Sequence, residues 1–115
     1  MKVNQLNQLS EMECVLPAPE GTEVSAAFTS DLLSDVMAHA EEGSVLITVQ
    51  AHQTTVAVAT LVGIRAILAC SDRTIPDDML EAARKRSIAL FRTSLNQFEA
   101  SIAVHRLLAS SKDPS

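Results

Sequence analysis

The sequence predicts an α/β fold: a single three-layer domain with a mainly parallel sheet of about four to five strands flanked by helices. Three observations carry that expectation. From Val24 to Leu108 short apolar runs alternate with helical stretches, and parallel neighbours need crossovers of about ten residues or more because a tight hairpin cannot join them. Val45-Leu46-Ile47-Thr48-Val49 is apolar on both faces, as a strand covered on each side must be. Gly43 and Gly63 each stand just after a helical stretch, where a left-handed stop is wanted. The 115 residues suit one domain.

Element by element, Val3, Leu6, Leu9 and Met12 recur every third residue and mark a short amphipathic helix. Glu13 to Leu16 forms a brief strand, and Pro17 to Thr22 is a loop, since two prolines and a glycine break any ladder. Val24 to Phe28 reads as a strand and Thr29 or Ser30 as a cap. Leu32, Leu33, Val36, Met37 and Ala40 then share one helical face. The strand Val45 to Val49 leads through a polar loop to a helix over about Thr55 to Val62, and Ile64 to Cys70 is the next strand. Pro76 opens a helix whose Asp77 and Asp78 suit its positive end and whose Arg84, Lys85 and Arg86 suit its negative end. Ile88 to Phe91 is the last strand. Ser94 and Gln97 have capping-box spacing before a closing helix that reaches Leu108. Residues 1–23 belong to the same domain as the core, 24–109, and 110–115 form a polar tail.

Nine Lys and Arg against fourteen Asp and Glu leave a net charge of −5, and Trp and Tyr are absent. A polyanion meets no attraction here and bases find no stacking platform, so nucleic acid is excluded as a partner. No apolar run can span a bilayer and no leader peptide opens the chain, which excludes a membrane and points to the cytoplasm. Cys14 and Cys70 lie apart among apolar neighbours, without CxxC spacing, and read as buried thiols. There is no GxxxxGK[ST], GxGxxG or GxSxG motif, and three glycines leave little room for a nucleotide cradle. No cofactor is implied. His39, His52 and His105 lack ligand spacing, so no metal site is expected.

Loops leaving the carboxyl ends of parallel strands gather on one rim, where an α/β domain binds its ligand. The loop Gln50-Ala51-His52-Gln53-Thr54-Thr55 concentrates the hydrogen-bonding side chains. Gln50, His52, Gln53 and Thr54, with the free amides of the following helix, suit a small polar or anionic ligand. The same residues also suit a solvated, self-capping loop. Ser30 and Asp31 end the neighbouring strand and read first as helix caps. Asp72 and Arg73 end the next strand and read first as a surface turn.

The helix Val56 to Val62 offers one polar side chain in two turns. A helix apolar around its circumference needs cover on all sides. A second copy covering Val56, Val58, Ala59, Leu61 and Val62 gives a homodimer; the opening helix folding over them gives a monomer.

Three segments together resemble the DRTGG domain: Ser30 to Met37, Val45 to Gln50 with Thr55 to Ala59, and Asn96 to Ala100. That small α/β family is also similar to the N-terminal domain of HPr kinase/phosphorylase and occurs beside CBS domains in regulatory proteins. The likeness covers roughly Val24 to Leu108. Its Asp-Leu-Leu-Ser and Val-Ala-Val-Ala forms are most similar to stand-alone members encoded near iron-only hydrogenase components. The resemblance implies a non-catalytic regulatory or ligand-sensing dimer accessory to a redox (hydrogenase-type) system. Where many members carry glycines and an acidic residue, this chain has Ala51-His52-Gln53-Thr54. Two other functions are weighed against that one. A protein-interaction or assembly factor binds a partner protein through the apolar helix and no small molecule. A small hydrolase or transferase requires Asp31, His52 and Asp72 in one pocket.

Overall fold

In a computed structural model that describes residues 1–112, four parallel strands stand side by side in the order in which the chain makes them. They are β2 (Ala26–Thr29), β3 (Ser44–Thr48), β4 (Ala66–Ala69) and β5 (Ala89–Thr93). β1 (Met12–Leu16) joins β5 antiparallel, so the sheet is mixed and mostly parallel, with the order β1-β5-β4-β3-β2. β3 and β4 are buried at every position, as central strands with helices on both faces must be.

The helices linking the parallel strands are α1 (Leu33–His39), α2 (Gln53–Val62) and α3 (Asp77–Arg86). Crossovers of one hand that step in one direction across a sheet all land on the same face. Val36 of α1, Val56 and Ala59 of α2, and Met79 and Ala83 of α3 accordingly pack with Leu46, Ile67 and Leu90 in one core. The opposite face holds Val45, Ile47, Leu68 and Phe91 under α4 (Gln97–Lys112) and the opening turn of the chain. Burying each such side chain contributes about 1.5–3 kcal/mol.

The opening turn is a 3-10 helix, Val3–Gln8, and Met12 belongs to β1 instead. A strict every-third spacing is the period of a 3-10 helix, three residues per turn, and Val3 and Leu6 are both fully buried by it. Gly63 ends α2 at φ 88°, donating its N–H to Ala59 O. Pro76 precedes α3 as its N-cap rather than sitting in its first turn. The capping box of α4 uses Asn96 and Glu99, not Ser94 and Gln97: Glu99 N–H donates to Asn96 Oδ1 at 2.8 Å and Asn96 N–H to Glu99 Oε1 at 3.1 Å. α4 continues through Ser110 to Lys112, and the rest of the expected tail, 113–115, lies outside the described residues.

Candidate ligand-binding rim

Parallel strands send their following loops to one edge of the sheet, and the candidate residues follow three consecutive strands there. Ser30 and Asp31 leave β2, Gln50 to Thr54 leave β3, and Asp72 and Arg73 leave β4. They share one rim.

The first two loops are joined. Gln50 Nε2 donates to Asp31 O at 2.9 Å, and Ser30 N–H donates to Ile47 O at 3.1 Å. The backbone of Gln50 is held from both sides, because its N–H donates to Thr48 Oγ1 at 3.0 Å and its carbonyl accepts from Thr55 Oγ1 at 2.8 Å. Thr48 and Thr55 are fully buried, so these bonds make a rigid base for an exposed tip. His52, Gln53 and Thr54 are that tip. His52 is the N-cap residue of α2, and no side chain caps that helix. Its first amides face outward with a positive dipole end, which favours an anion. Ser30 does not cap α1; its Oγ accepts Leu32 N–H at 3.1 Å, one residue before the helix proper.

The third loop is built differently. Ser71 and Asp72 both have left-handed backbones, φ 59° and 55°. Ser71 N–H donates to Leu95 O at 2.8 Å and Asp72 N–H to Thr93 O at 2.9 Å. Arg92 of β5 holds the loop from below, donating to Asp72 O at 3.1 Å, Arg73 O at 3.3 Å and Glu13 Oε1 at 3.2 Å. Sequence reasoning passed over Arg92, though a lone arginine in an apolar strand was a legible signal. Between β4 and β5 the following elements diverge to opposite faces, α3 to one and α4 to the other. In open α/β sheets that divergence opens a ligand crevice, and here the backbone bonds of Ser71 and Asp72 tie the loop after β4 to the end of β5 and the loop that follows it.

No hydrogen bond joins any two of Asp31, His52 and Asp72 among the described residues, and Asp72 Oδ1 has Arg92 Nη2 at 3.9 Å. β2 and β4 are two strand spacings apart, about 10 Å. Among the described residues no three His, Cys, Asp or Glu gather in a metal-holding cluster, and no helix is long and apolar enough to cross a membrane. Burial pushes the Cys70 thiol up from 9.0 to about 11, against a smaller opposing pull from the backbone at Thr48. Burial likewise raises Cys14, against a smaller opposing hydrogen bond from Asn7.

The proposed dimer surface needs correction. Val56, Val58 and Ala59 are buried inside the chain itself and Val62 is half-buried, because α2 is the middle helix of its layer and packs on the sheet between α1 and α3. The opening turn lies on the other face and covers none of it. Of the five, only Leu61 stands open, 74% exposed.

No family model matches the sequence, and no curated protein matches it. Among solved structures the chain is similar to the CBS and DRTGG domains of the regulatory region of Clostridium perfringens pyrophosphatase, complexed with its activator diadenosine tetraphosphate. The likeness has a TM-score of 0.66 at 14% identity and covers 93% of this chain. It spans 45% of that one, so this chain corresponds to less than half of its neighbour. At that identity what the two share is the fold, the α/β fold that the DRTGG resemblance implies.

Proposed function

We propose that this domain is a regulatory, non-catalytic sensor that reads a small anionic ligand at its carboxyl rim. The observation that carries the reading is the uncapped amino end of α2, presented by a loop that Gln50 locks to Asp31. Gln53 and Thr54 offer their amides to the anion, and His52 and Gln53 supply side-chain donors beside it. Ser30 and Asp31 form the adjoining wall, with Asp72 and Arg73 on its far side. The neighbour in fold is itself a regulatory region, captured with a nucleotide activator, which supports a phosphate-bearing ligand. In this reading the domain works as a homodimer in the cytoplasm. Its service to a redox (hydrogenase-type) system is as a binding component, since its thiols stay protonated at neutral pH.

The test is a thermal-shift series on the full chain with diadenosine tetraphosphate, mononucleotides and inorganic phosphate. A ligand at a hundred times its Kd adds about 2.7 kcal/mol, on the order of 10 °C in Tm for a chain of this size. His52→Ala and Gln53→Ala each remove the shift while keeping the ligand-free Tm. A shift that survives both substitutions places the ligand elsewhere, and an empty panel leaves the sensor reading without support.

A further inference from the structure

A small open cavity of about 310 Å³ lies apart from the loops of Ser30 and Gln50. Its walls are Glu13 and Val15 of β1, Arg92 of β5, and Thr74 and Ile75 of the loop that leads into α3. Alternate residues of a strand share a face, and Leu90 packs with Met79 and Ala83 of α3, so Arg92 stands on the face that α3 covers. The cavity adjoins the point where α3 and α4 depart to opposite faces, the position at which open α/β sheets take ligands. Register builds it. Glu13 is opposite Arg92 in the antiparallel pairing, and Arg92 Nη1 donates to Glu13 Oε1 at 3.2 Å. Cys14 pairs with Phe91 and Leu16 with Leu90, so Val15 is the extra residue of a bulge. A bulge re-aims a side chain, and Val15 and Leu16, though consecutive, both pack on the core beneath α3. Ile75, half-buried, adds a second apolar wall.

The ion pair in this cavity has bonding capacity to spare. Arg92 donates to Arg73 O, Asp72 O and Glu13 Oε1, which leaves two of the guanidinium's five N–H groups unused. Glu13 Oε2 and the Thr74 hydroxyl have no hydrogen-bond partner among the described residues. Solvent reaches both partners, since the Arg92 side chain is 28% exposed and that of Glu13 62%. A bare anion here meets the carboxylates of Glu13 and Asp72, the latter 3.9 Å from Arg92 Nη2, and a bare cation meets Arg92. A molecule carrying both charges side by side is repelled by neither, because it lies antiparallel to the protein's own pair. The 3.2 Å between the protein's charged atoms suits an α-amino acid, whose carboxylate and ammonium share one carbon. A zwitterion with its charges at the two ends of a chain overshoots that spacing. The volume holds about ten water molecules, enough for an amino acid of leucine's size and too little for a dinucleotide.

We propose that the cavity between β1, β5 and the loop into α3 binds an α-amino acid with an aliphatic side chain. Its carboxylate takes the unused N–H groups of Arg92, its ammonium donates to Glu13 Oε2, and its side chain lies against Val15 and Ile75. Charge-assisted hydrogen bonds at both ends supply the selection for a zwitterion, and the apolar walls supply the selection for carbon over a polar side chain. This is a second ligand site. It uses none of the residues around the amino end of α2 and does not rest on the anion reading of that end.

The test is a titration of the isotope-labelled full chain with L-leucine, read from its amide resonances. Saturable shifts are expected at Val15, Thr74, Ile75 and Arg92. Isocaproate lacks the ammonium and isoamylamine lacks the carboxylate, and each binds ~10-fold more weakly or worse. Glu13→Gln weakens leucine by the same factor and strengthens isocaproate, an inversion that a purely structural role for Glu13 does not produce. Should Glu13→Gln disturb the fold, Ile75→Ser decides, since it removes the preference for leucine over glycine. Wild type without saturable shifts overturns the site. So does isocaproate or isoamylamine binding as tightly as leucine, or a folded Glu13→Gln that binds leucine as wild type does. Leucine binding survives His52→Ala, and its loss there also overturns the site. A failure of the sensor reading shows instead in the thermal-shift series with phosphates, so the two outcomes are separate.

Discussion

Gln50 and Asp31 come from loops 19 positions apart in sequence, and the side-chain amide of one donates to the backbone carbonyl of the other at 2.9 Å. That bond couples the end of β2 to the end of β3, so the loops of the proposed rim share a fixed floor. Gln50→Ala costs about 0.5–1 kcal/mol, the net worth of an exposed hydrogen bond. Gln50→Glu costs more at pH 7, since an acceptor then faces an acceptor. Urea midpoints with an unchanged slope measure both; equal stability of the Glu variant and wild type means the bond is absent in solution.

Gly63 is sensitive to any side chain. Its φ of 88° is left-handed, and a Cβ built there meets Glu42 Cγ at 2.7 Å. Its carbonyl also accepts Gly43 N–H at 2.8 Å, which joins the exit of α2 to the entry of β3. Gly63→Ala therefore lowers stability by about 1–2 kcal/mol. The same substitution at Gly21, also at positive φ but with nothing within 4 Å, costs less, and the two melting curves side by side check the difference.

Arg92 holds three pieces of backbone and side chain with one planar group. Arg92→Lys keeps the charge but loses the fork that reaches Asp72 O and Arg73 O together. A loss of about 1–2 kcal/mol is expected, with faster amide exchange at Ser71 and Asp72. If exchange there is unchanged, the left-handed pair stands without the guanidinium.

The thiols set an alkaline limit. The folded pKa of Cys70 is raised above its unfolded value, so its contribution is present in full below about pH 9. It is lost as pH rises toward about 11, where the unfolded chain has already released the proton. Cys14 acts in the same direction. Tm falls between pH 9 and 11 in wild type, and falls less steeply in Cys70→Ala. In native protein Cys70 resists thiol reagents at pH 8, and denaturant makes it reactive.

Much of this architecture was legible because burial leaves a regular trace. The run Val45 to Thr48 could only be a central strand, and Gly63 fell where the left-handed exit of α2 was needed, whereas α1 already ends at an extended Ala40, three residues before Gly43. The opening turn shows how finely spacing can be read, since Val3, Leu6 and Leu9 repeat at three and not at 3.6. The rim was legible as a set of loops and Arg92 as a lone arginine in an apolar strand, but the partners of Arg92 and Gln50 were not, because both depend on register between strands far apart in sequence. The association surface was misplaced for a different reason. An apolar helix looks the same in sequence whether its cover is a second copy or its own neighbours, and for Val56, Val58 and Ala59 it is α1, α3 and the sheet.

The antiparallel pairing of β1 with β5 joins Glu13 to Arg92, 79 positions apart. Every parallel pairing can form as soon as its second strand leaves the ribosome, whereas β1, synthesised first, waits for almost the whole chain. During translation the emerging polypeptide thus carries a bare N-terminal segment, and only its capture by the last strand completes the sheet. Such long-range closure slows folding and makes a nascent chain stalled before Ala89 the form most exposed to aggregation.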